Sequence, residues 1–233
     1  LRYWYGAKGT SECEKIKKSS QQVGQGVHKA IEKFLRGIPF DECKKELDEQ
    51  QYVMFSNLVK WCRQVKLKAI AMEEPLYWYC KKHHPKKHTV IGCQQDCTLD
   101  CTEFNLAGTP DAVCTFNGGK SLTVVDWKTD SVPSDTAQER ERAIKYYWQN
   151  TSYAMMYNRQ FGTKINKALT VRSVTPEKVK DGTQNKLNLV LPNYVKVKYS
   201  DDYTFATYSF PDLKEGVKDV KLLRHLYRQV RGK

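Results

Sequence analysis

The sequence predicts an α/β fold, a mixed central sheet flanked by helices, and three observations carry that expectation. A short run from Asp111 to Phe116 and another from Ser121 to Val125 flank Asn117-Gly118-Gly119-Lys120. A glycine pair between two β-rich runs is a strong local signal for a tight hairpin. Apolar residues at helical spacing stand on both sides of it: Val27, Ala30, Ile31, Phe34 and Leu35 before, and Ala143, Ile144, Tyr147, Trp148, Thr151, Ala154 and Met155 after. Further β-rich runs follow the second helix. With 233 residues, one domain over 1–233 is expected, long enough to bury a core without staples.

In chain order, residues 1–22 open with Tyr3-Trp4-Tyr5, which either cap the core or offer a stacking surface for bases. A helix is expected from Gly24 until Gly37 and Pro39 stop it. His28 and Glu32 share one flank of its apolar face, at the edge where a cleft would be lined. Residues 41–72 read as one or two helices running to about Leu67. Glu73-Glu74-Pro75-Leu76-Tyr77-Trp78-Tyr79 reads as an aromatic strand, and its proline argues for an edge or a strand start. Residues 80–106 hold Cys80, His83, His84, His88, Cys93, Cys97 and Cys101. No Cys-x-x-Cys pair occurs, so a basic, disulfide-free insertion is expected, with a structural zinc on Cys80, Cys93, Cys97 and Cys101 as the alternative. Its lysines, Lys81 and Lys82 among them, suit contact with phosphates.

The hairpin itself carries the chemistry. With Gly118 and Gly119 as its loop residues, mirror counting sets residue 111 opposite residue 126. Directly opposed strand residues hold their Cβ atoms roughly 4.5–5.5 Å apart. Two carboxylates that close repel, which costs stability unless a cation lies between them. Lys128, two residues beyond Asp126, projects from the same strand face. Two acids and a lysine at one end of a hairpin make a metal site with an ammonium beside it.

After a polar linker the second helix is expected from about Ala137 to Arg159. Arg142, Tyr146, Gln149 and Tyr153 line a stripe apart from its apolar face, as a substrate-facing helix requires. Ala168–Val174 and Leu187–Val197 read as strands, and a basic helix from about Pro211 to Arg231 closes the chain.

Lys plus Arg is 39 against 26 for Asp plus Glu, a net charge of +13 and a pI near 9.3. Such a field attracts polyanions, and nucleic acid is the partner it predicts. No apolar run approaches the roughly 20 residues that span a bilayer, and mean hydropathy is −0.67. The cysteine pattern predicts a reducing, intracellular compartment, with mitochondrial, nuclear and viral or phage origin all open. A monomer is expected.

Pro110-Asp111 followed by Asp126-Trp127-Lys128 resembles the signature of the PD-(D/E)XK nuclease superfamily. Val124-Val125-Asp126-Trp127-Lys128-Thr129 is most similar to its RecB-type branch, as are Gly24-x-x-x-His28 on an early helix and Gln149-x-x-x-Tyr153 on the helix after the lysine. The resemblance covers roughly residues 24–160 and implies a restriction-endonuclease-like core that hydrolyses phosphodiester bonds. It implies one or two Mg²⁺ or Mn²⁺ ions on His28, Asp111, Asp126 and the Trp127 backbone carbonyl, with Glu32, Glu73 and Glu74 as further candidates. Lys128 would then act on the attacking water, and Gln149 and Tyr153 would position the strand. Charge, aromatics and motif order together predict an exonuclease on single-stranded DNA, with Arg142, Tyr146, Lys81 and Lys82 contacting it. Three rivals stand beside this reading: a cap-snatching-type RNA endonuclease, a non-catalytic nucleic-acid binder, and a zinc-dependent interaction module centred on residues 80–101.

Overall fold

The structure, a computed structural model, describes residues 10–78, 106–129, 136–174 and 182–231. Its helices are α1 (Thr10–Leu35), α2 (Phe40–Cys43), α3 (Glu49–Gln64), α4 (Thr136–Phe161), α5 (Thr183–Val190) and α6 (Lys214–Arg231). Its strands are β1 (Lys68–Met72), β2 (Leu76–Trp78), β3 (Leu106–Gly108), β4 (Ala112–Thr115), β5 (Thr123–Lys128), β6 (Ala168–Ser173), β7 (Lys196–Tyr199) and β8 (Phe205–Phe210). Six strands form one sheet in the order β1-β4-β5-β6-β8-β7, and β2 pairs with β3 in a small second sheet. β5 and β6 run parallel, joined through α4, and the other neighbours are antiparallel. This is the mixed sheet flanked by helices that the sequence predicts.

The alternation along β4 and β5 sorts side chains into two layers. Ala112, Cys114, Val125 and Trp127 face α1 and α3, where they join Val27, Ile31, Phe55, Leu58 and Trp61. Trp61 and Trp127 meet edge to face at 5.5 Å. Val113 and Val124 face the other way, into the layer built by α4, α5 and α6 with Tyr147, Tyr208 and Phe210. α4 is buried over much of its circumference, including the polar residues Glu139, Asn150 and Thr151. Glu139 there meets a fully buried Arg172 from β6, with Arg172 Nη1 3.0 and 3.1 Å from the two carboxylate oxygens. Tyr208 donates its hydroxyl to the same carboxylate.

Several elements differ from expectation. α1 begins at Thr10, well before Gly24, and ends as expected: Gly37 has φ +91° and Ile38 N–H reaches back to the Lys33 carbonyl. The helix expected to run to Leu67 stops at Gln64. Lys66 turns left-handed (φ +45°), Leu67 N–H bonds the Cys62 carbonyl, and the chain leaves as β1, a strand the sequence reading lacked. Glu73 and Glu74 lie in the connection between β1 and β2, so the strand expected over 73–79 begins only at Leu76, just past Pro75.

Leu187–Val197, read as one strand, is instead the end of α5, a turn, and the start of β7. Its physical role explains the difference. The Gln184 and Asn188 side chains of α5 accept hydrogen bonds from the Tyr199 and Val197 N–H groups, so the helix covers the free edge of β7. Cys80, Cys93, Cys97, Cys101, Lys81, Lys82 and Tyr3-Trp4-Tyr5 lie outside the described residues. No described helix is long and apolar enough to cross a membrane.

α6 approaches α4 over a glycine. Gly216 N–H donates to the Tyr147 hydroxyl at 2.7 Å, and a Cβ there would lie 2.4 Å from Thr151 Oγ1 and 2.8 Å from the Tyr147 ring. Both neighbours are buried and fixed. Gly216→Ala is therefore expected to destabilise the protein by about 1–3 kcal/mol, read as a lower urea midpoint, through overpacking and not through loss of any polar group.

Candidate active site

The β4–β5 ladder pairs Ala112 with Val125, Val113 with Val124 and Cys114 with Thr123. Extending that register by one residue sets Asp111 opposite Asp126, as the hairpin counting requires. The turn, however, is not closed by Gly118-Gly119. Asn117 and Gly118 have φ of +51° and +73°, and Gly119 N–H bonds the Phe116 carbonyl at 2.8 Å. This is the Asn-Gly arrangement that type I′ turns favour. The extra length is taken up between Gly119 and Leu122, before β5 starts, so the register survives the shifted turn.

Asp111 stands just past the backbone ladder and continues it with its side chain. Its Oδ2 accepts the Trp127 N–H at 2.6 Å, and its Oδ1 lies 3.2 Å from His28 Nδ1. Its backbone carbonyl accepts from Glu73 N–H at 3.2 Å. Glu73 is held at φ +49°, an uncommon conformation for a non-glycine residue. That bend brings its carboxylate in: ligand atoms of His28, Glu73 and Asp111 all lie within 4.8 Å of one another. α1 is pressed against the same corner, since a Cβ on Gly24 would lie 3.3 Å from Thr129 Oγ1. The two sequence motifs thus touch. An open cleft of about 530 Å³ lies over them, lined by Gly24, Gln25, His28, Glu32, Glu73 and Asp111 among others.

Asp126 and Lys128 project to the α4 side. Lys128 Nζ lies 2.9 and 2.7 Å from the two oxygens of Asp126, whose side chain is 3% exposed. Thr170 of β6, opposite Asp126 in the parallel register, places its hydroxyl 3.5 Å from Asp126 Oδ2. Asn150 donates to that hydroxyl at 2.9 Å. The Lys128 ammonium sits 5.6 Å from the centre of the Tyr146 ring. Gln149 Nε2 donates to the Tyr153 hydroxyl at 3.0 Å. The Tyr153 ring fits against Gly108, where a Cβ would meet it at 2.7 Å.

Burial dominates the electrostatics of this corner. It pushes the Asp126 carboxyl up to about 6; the Lys128 charge pulls the other way, and the Asp111 charge adds to the rise. The expected cost of opposed carboxylates therefore falls on Asp126, and desolvation outweighs the neighbouring acid. Burial lowers the His28 pKa, but the Asp111 hydrogen bond and the charges of Asp111 and Asp126 outweigh it and leave it raised. Burial likewise opposes the Lys128 ammonium, and Asp126 and Asp111 overcome it. Glu73 is raised by burial first and by Asp111 second. Carboxylates with a single imidazole form a hard donor set, which fits Mg²⁺ or Mn²⁺.

The structure brings the ligand atoms of His28, Glu73 and Asp111 together, sets Asp126, Lys128 and Tyr153 within electrostatic reach of Asp111, and bonds Gln149 to Tyr153. Others stand aside. Glu32 lines the same cleft but is tied to Arg36 through bonds of 3.1 and 2.7 Å and lies outside the close group of His28, Glu73 and Asp111. The charge of Glu74 acts on Tyr157, after burial, in raising that phenol. Tyr146, expected on a substrate-facing stripe, is only 7% exposed and packs edge to face on Tyr208. A wheel gives the direction of a side chain and not its depth, and here Tyr146 turns inward beneath Lys128. Arg142 is half-buried. Thr170, Asn150 and Gly108 were missed as site residues. Thr170 and Asn150 depend on the sheet order.

A family model of the PD-(D/E)XK nuclease superfamily matches residues 1–225. No curated protein matches the chain.

The raised Asp126 pKa has a consequence for stability. Its folded-state value of about 6 exceeds the ordinary 3.8, so between those values the folded state binds more protons and stability falls as pH rises. In chelator, Asp126→Asn is expected to be more stable than the wild type above pH 6, the advantage shrinking toward pH 4. Urea unfolding of both proteins across that range measures it.

Proposed function

The chain belongs to the PD-(D/E)XK nuclease superfamily, a family of metal-dependent nucleases, and from that premise we propose that it is an exonuclease acting on single-stranded DNA. The observation that carries the reading is the meeting of Asp111, Asp126 and Lys128 at one end of the β4–β5 pair, with His28 of α1 on Asp111. His28, Asp111, Asp126 and the Trp127 carbonyl would hold one or two Mg²⁺ or Mn²⁺ ions, and Glu73, which converges with His28 and Asp111, would join them. When bound, the metal supplies a more acidic water and neutralises charge on the phosphate.

Lys128, kept as an ammonium by Asp126 and Asp111, orients the attacking water and stabilises charge developing on phosphorus. Tyr146 lies beneath that ammonium and contributes through its ring face, not as a base-stacking platform. Gln149 and Tyr153, linked to each other at 3.0 Å, position the strand. The net charge of +13 supports a groove that tracks a phosphate backbone, with affinity that falls steeply with salt. The order of the motifs is similar to that of the mitochondrial genome maintenance exonuclease, a single-strand DNA exonuclease, and this supports the substrate by analogy.

The purified protein is expected to degrade linear single-stranded DNA to short oligonucleotides only with a divalent metal. Asp126→Ala and Lys128→Ala should each slow this by about a hundredfold or more while remaining folded. A time course on a linear single strand, its circular form, a blunt duplex and single-stranded RNA tests the substrate. Rapid cutting of the circle would show endonuclease action, preference for the duplex would remove the substrate assignment, and preference for RNA would favour the cap-snatching-type alternative.

A further inference from the structure

Asp126 is held from behind by two residues that are not motif positions, Asn150 filling a variable place between Gln149 and Tyr153. Thr170 lies on β6 directly beside it in the parallel register, and Asn150 lies on α4 above both. All three are buried: Asp126 is 2% exposed, and Asn150 and Thr170 are 0%. The donors in this group have one consistent arrangement. Asn150 Nδ2 donates to the Tyr146 carbonyl at 2.9 Å and to Thr170 Oγ1 at 2.9 Å. The carbonyl accepts only, so the amide nitrogen must face it, and flipping the amide would set oxygen against oxygen. Thr170, already accepting from Asn150, has its single proton free to point at Asp126 Oδ2, 3.5 Å away.

The chain of bonds therefore runs one way, from amide to hydroxyl to carboxylate. Asn150 Oδ1 has no hydrogen-bond partner among the described residues. A buried acceptor left unpaired is a cost. It is the cost of turning both amide hydrogens toward Tyr146 and Thr170. Lys128 grips the same carboxylate from its own strand, reaching both of its oxygens. Thr170 is the fixed contact on the other side, set on a strand and unable to swing as a lysine can.

We propose that Thr170, oriented by Asn150, is a positioning residue that fixes the Asp126 carboxylate for metal binding. The proposal rests on the assignment of Asp126 as a metal ligand. A carboxylate ligand whose outer hydrogen bond is removed typically loses about 10–100-fold in metal affinity. Thr170→Val keeps the shape of the side chain and removes the hydroxyl, and Thr170→Ser keeps the hydroxyl. Thr170→Ala offers the same comparison if the valine packs poorly.

The experiment is a Mn²⁺ titration of the full chain without substrate, followed by calorimetry and by electron paramagnetic resonance of free Mn²⁺. Nuclease assays over the same Mn²⁺ range run in parallel, with thermal melts as a check of folding. The expected result is Mn²⁺ binding weakened by about tenfold or more in Thr170→Val. The Mn²⁺ demand of cleavage should shift in step, KM for DNA should change little, and Thr170→Ser should recover most of the affinity. A folded Thr170→Val or Thr170→Ala that binds Mn²⁺ as the wild type does would overturn the positioning role alone. Wild-type binding left intact by Asp126→Ala would overturn the ligand assignment, and the proposal with it. Loss in Thr170→Val that serine does not recover would assign the effect to packing and overturn the role of the hydroxyl.

Discussion

Everything in the candidate site depends on the register of one antiparallel pair. β4 and β5 are linked so that Asp111 and Asp126 fall opposite each other, and parity then sends Asp126 and Lys128 to one face and Trp127 to the other. A slip of one residue would bury Asp126 and Lys128 among Trp61, Phe55 and Leu58 and push Trp127 toward the polar side. Val113, Cys114, Val124 and Val125, each fully buried, oppose such a slip from both layers. The turn does less than the sequence suggested. Its left-handed residues are Asn117 and Gly118, with slack before β5, so core packing on the two faces holds the pairing.

Once that register is set, a polar patch on the α4 face of the sheet follows. Asp126 and Lys128 on β5 lie beside Thr170 and Arg172 on β6, position for position. Four polar side chains on a buried face need partners, and α4 supplies them. Glu139 takes Arg172, Asn150 takes Thr170, and the Tyr146 ring lies by Lys128. Tyr208 joins the two halves, bonded to Glu139 and packed on Tyr146. Removing one member of the fully buried Glu139–Arg172 pair would cost about 3–5 kcal/mol, because the other is left charged in a poor solvent. The helix therefore carries polar residues where an amphipathic pattern alone would place apolar ones.

What was legible in the sequence was whatever chain-local spacing encodes. The pairing of Asp111 with Asp126, the shared face of Lys128, the placing of His28 on the edge of α1 and the Gln149–Tyr153 step on α4 are all short-range relations. The errors have equally physical causes. Thr183–Val190 lacks a helical apolar stripe and is shaped by its bonds to the edge of β7, a partner more than one turn of chain away. Lys68–Met72 is too short to announce a strand and depends on β4 for its pairing. Tyr146 was placed on the right side of its helix and at the wrong depth. Thr170 and Asn150 could be found only after β6 was known to lie next to β5, which the parallel crossover decides and spacing does not.

The two sides of the site are built on different terms. Asp126 and Lys128 belong to the sheet and its α4 layer, and their partners are strands and a long packed helix. Asp111, Glu73 and His28 are set at margins: Asp111 beyond the last ladder pair, Glu73 in a left-handed bend, and His28 on a helix from the opposite layer. Backbone groups tie Asp111 to Trp127 and Glu73, and a side-chain contact ties it to His28. The Asp111 carboxylate takes the Trp127 N–H, and the Asp111 carbonyl takes the Glu73 N–H. Asp111 is thus joined to both sides through one residue, with its carboxylate shared between β5 and α1. With Asp126 set by rigid neighbours, and Glu73 and His28 set by a bend and a helix edge, a hard cation bound as proposed could find its spacing without disturbing the sheet. The outer pair can shift by rotation about a few side-chain bonds, whereas any shift of Asp126 would have to move β6 or α4 with it.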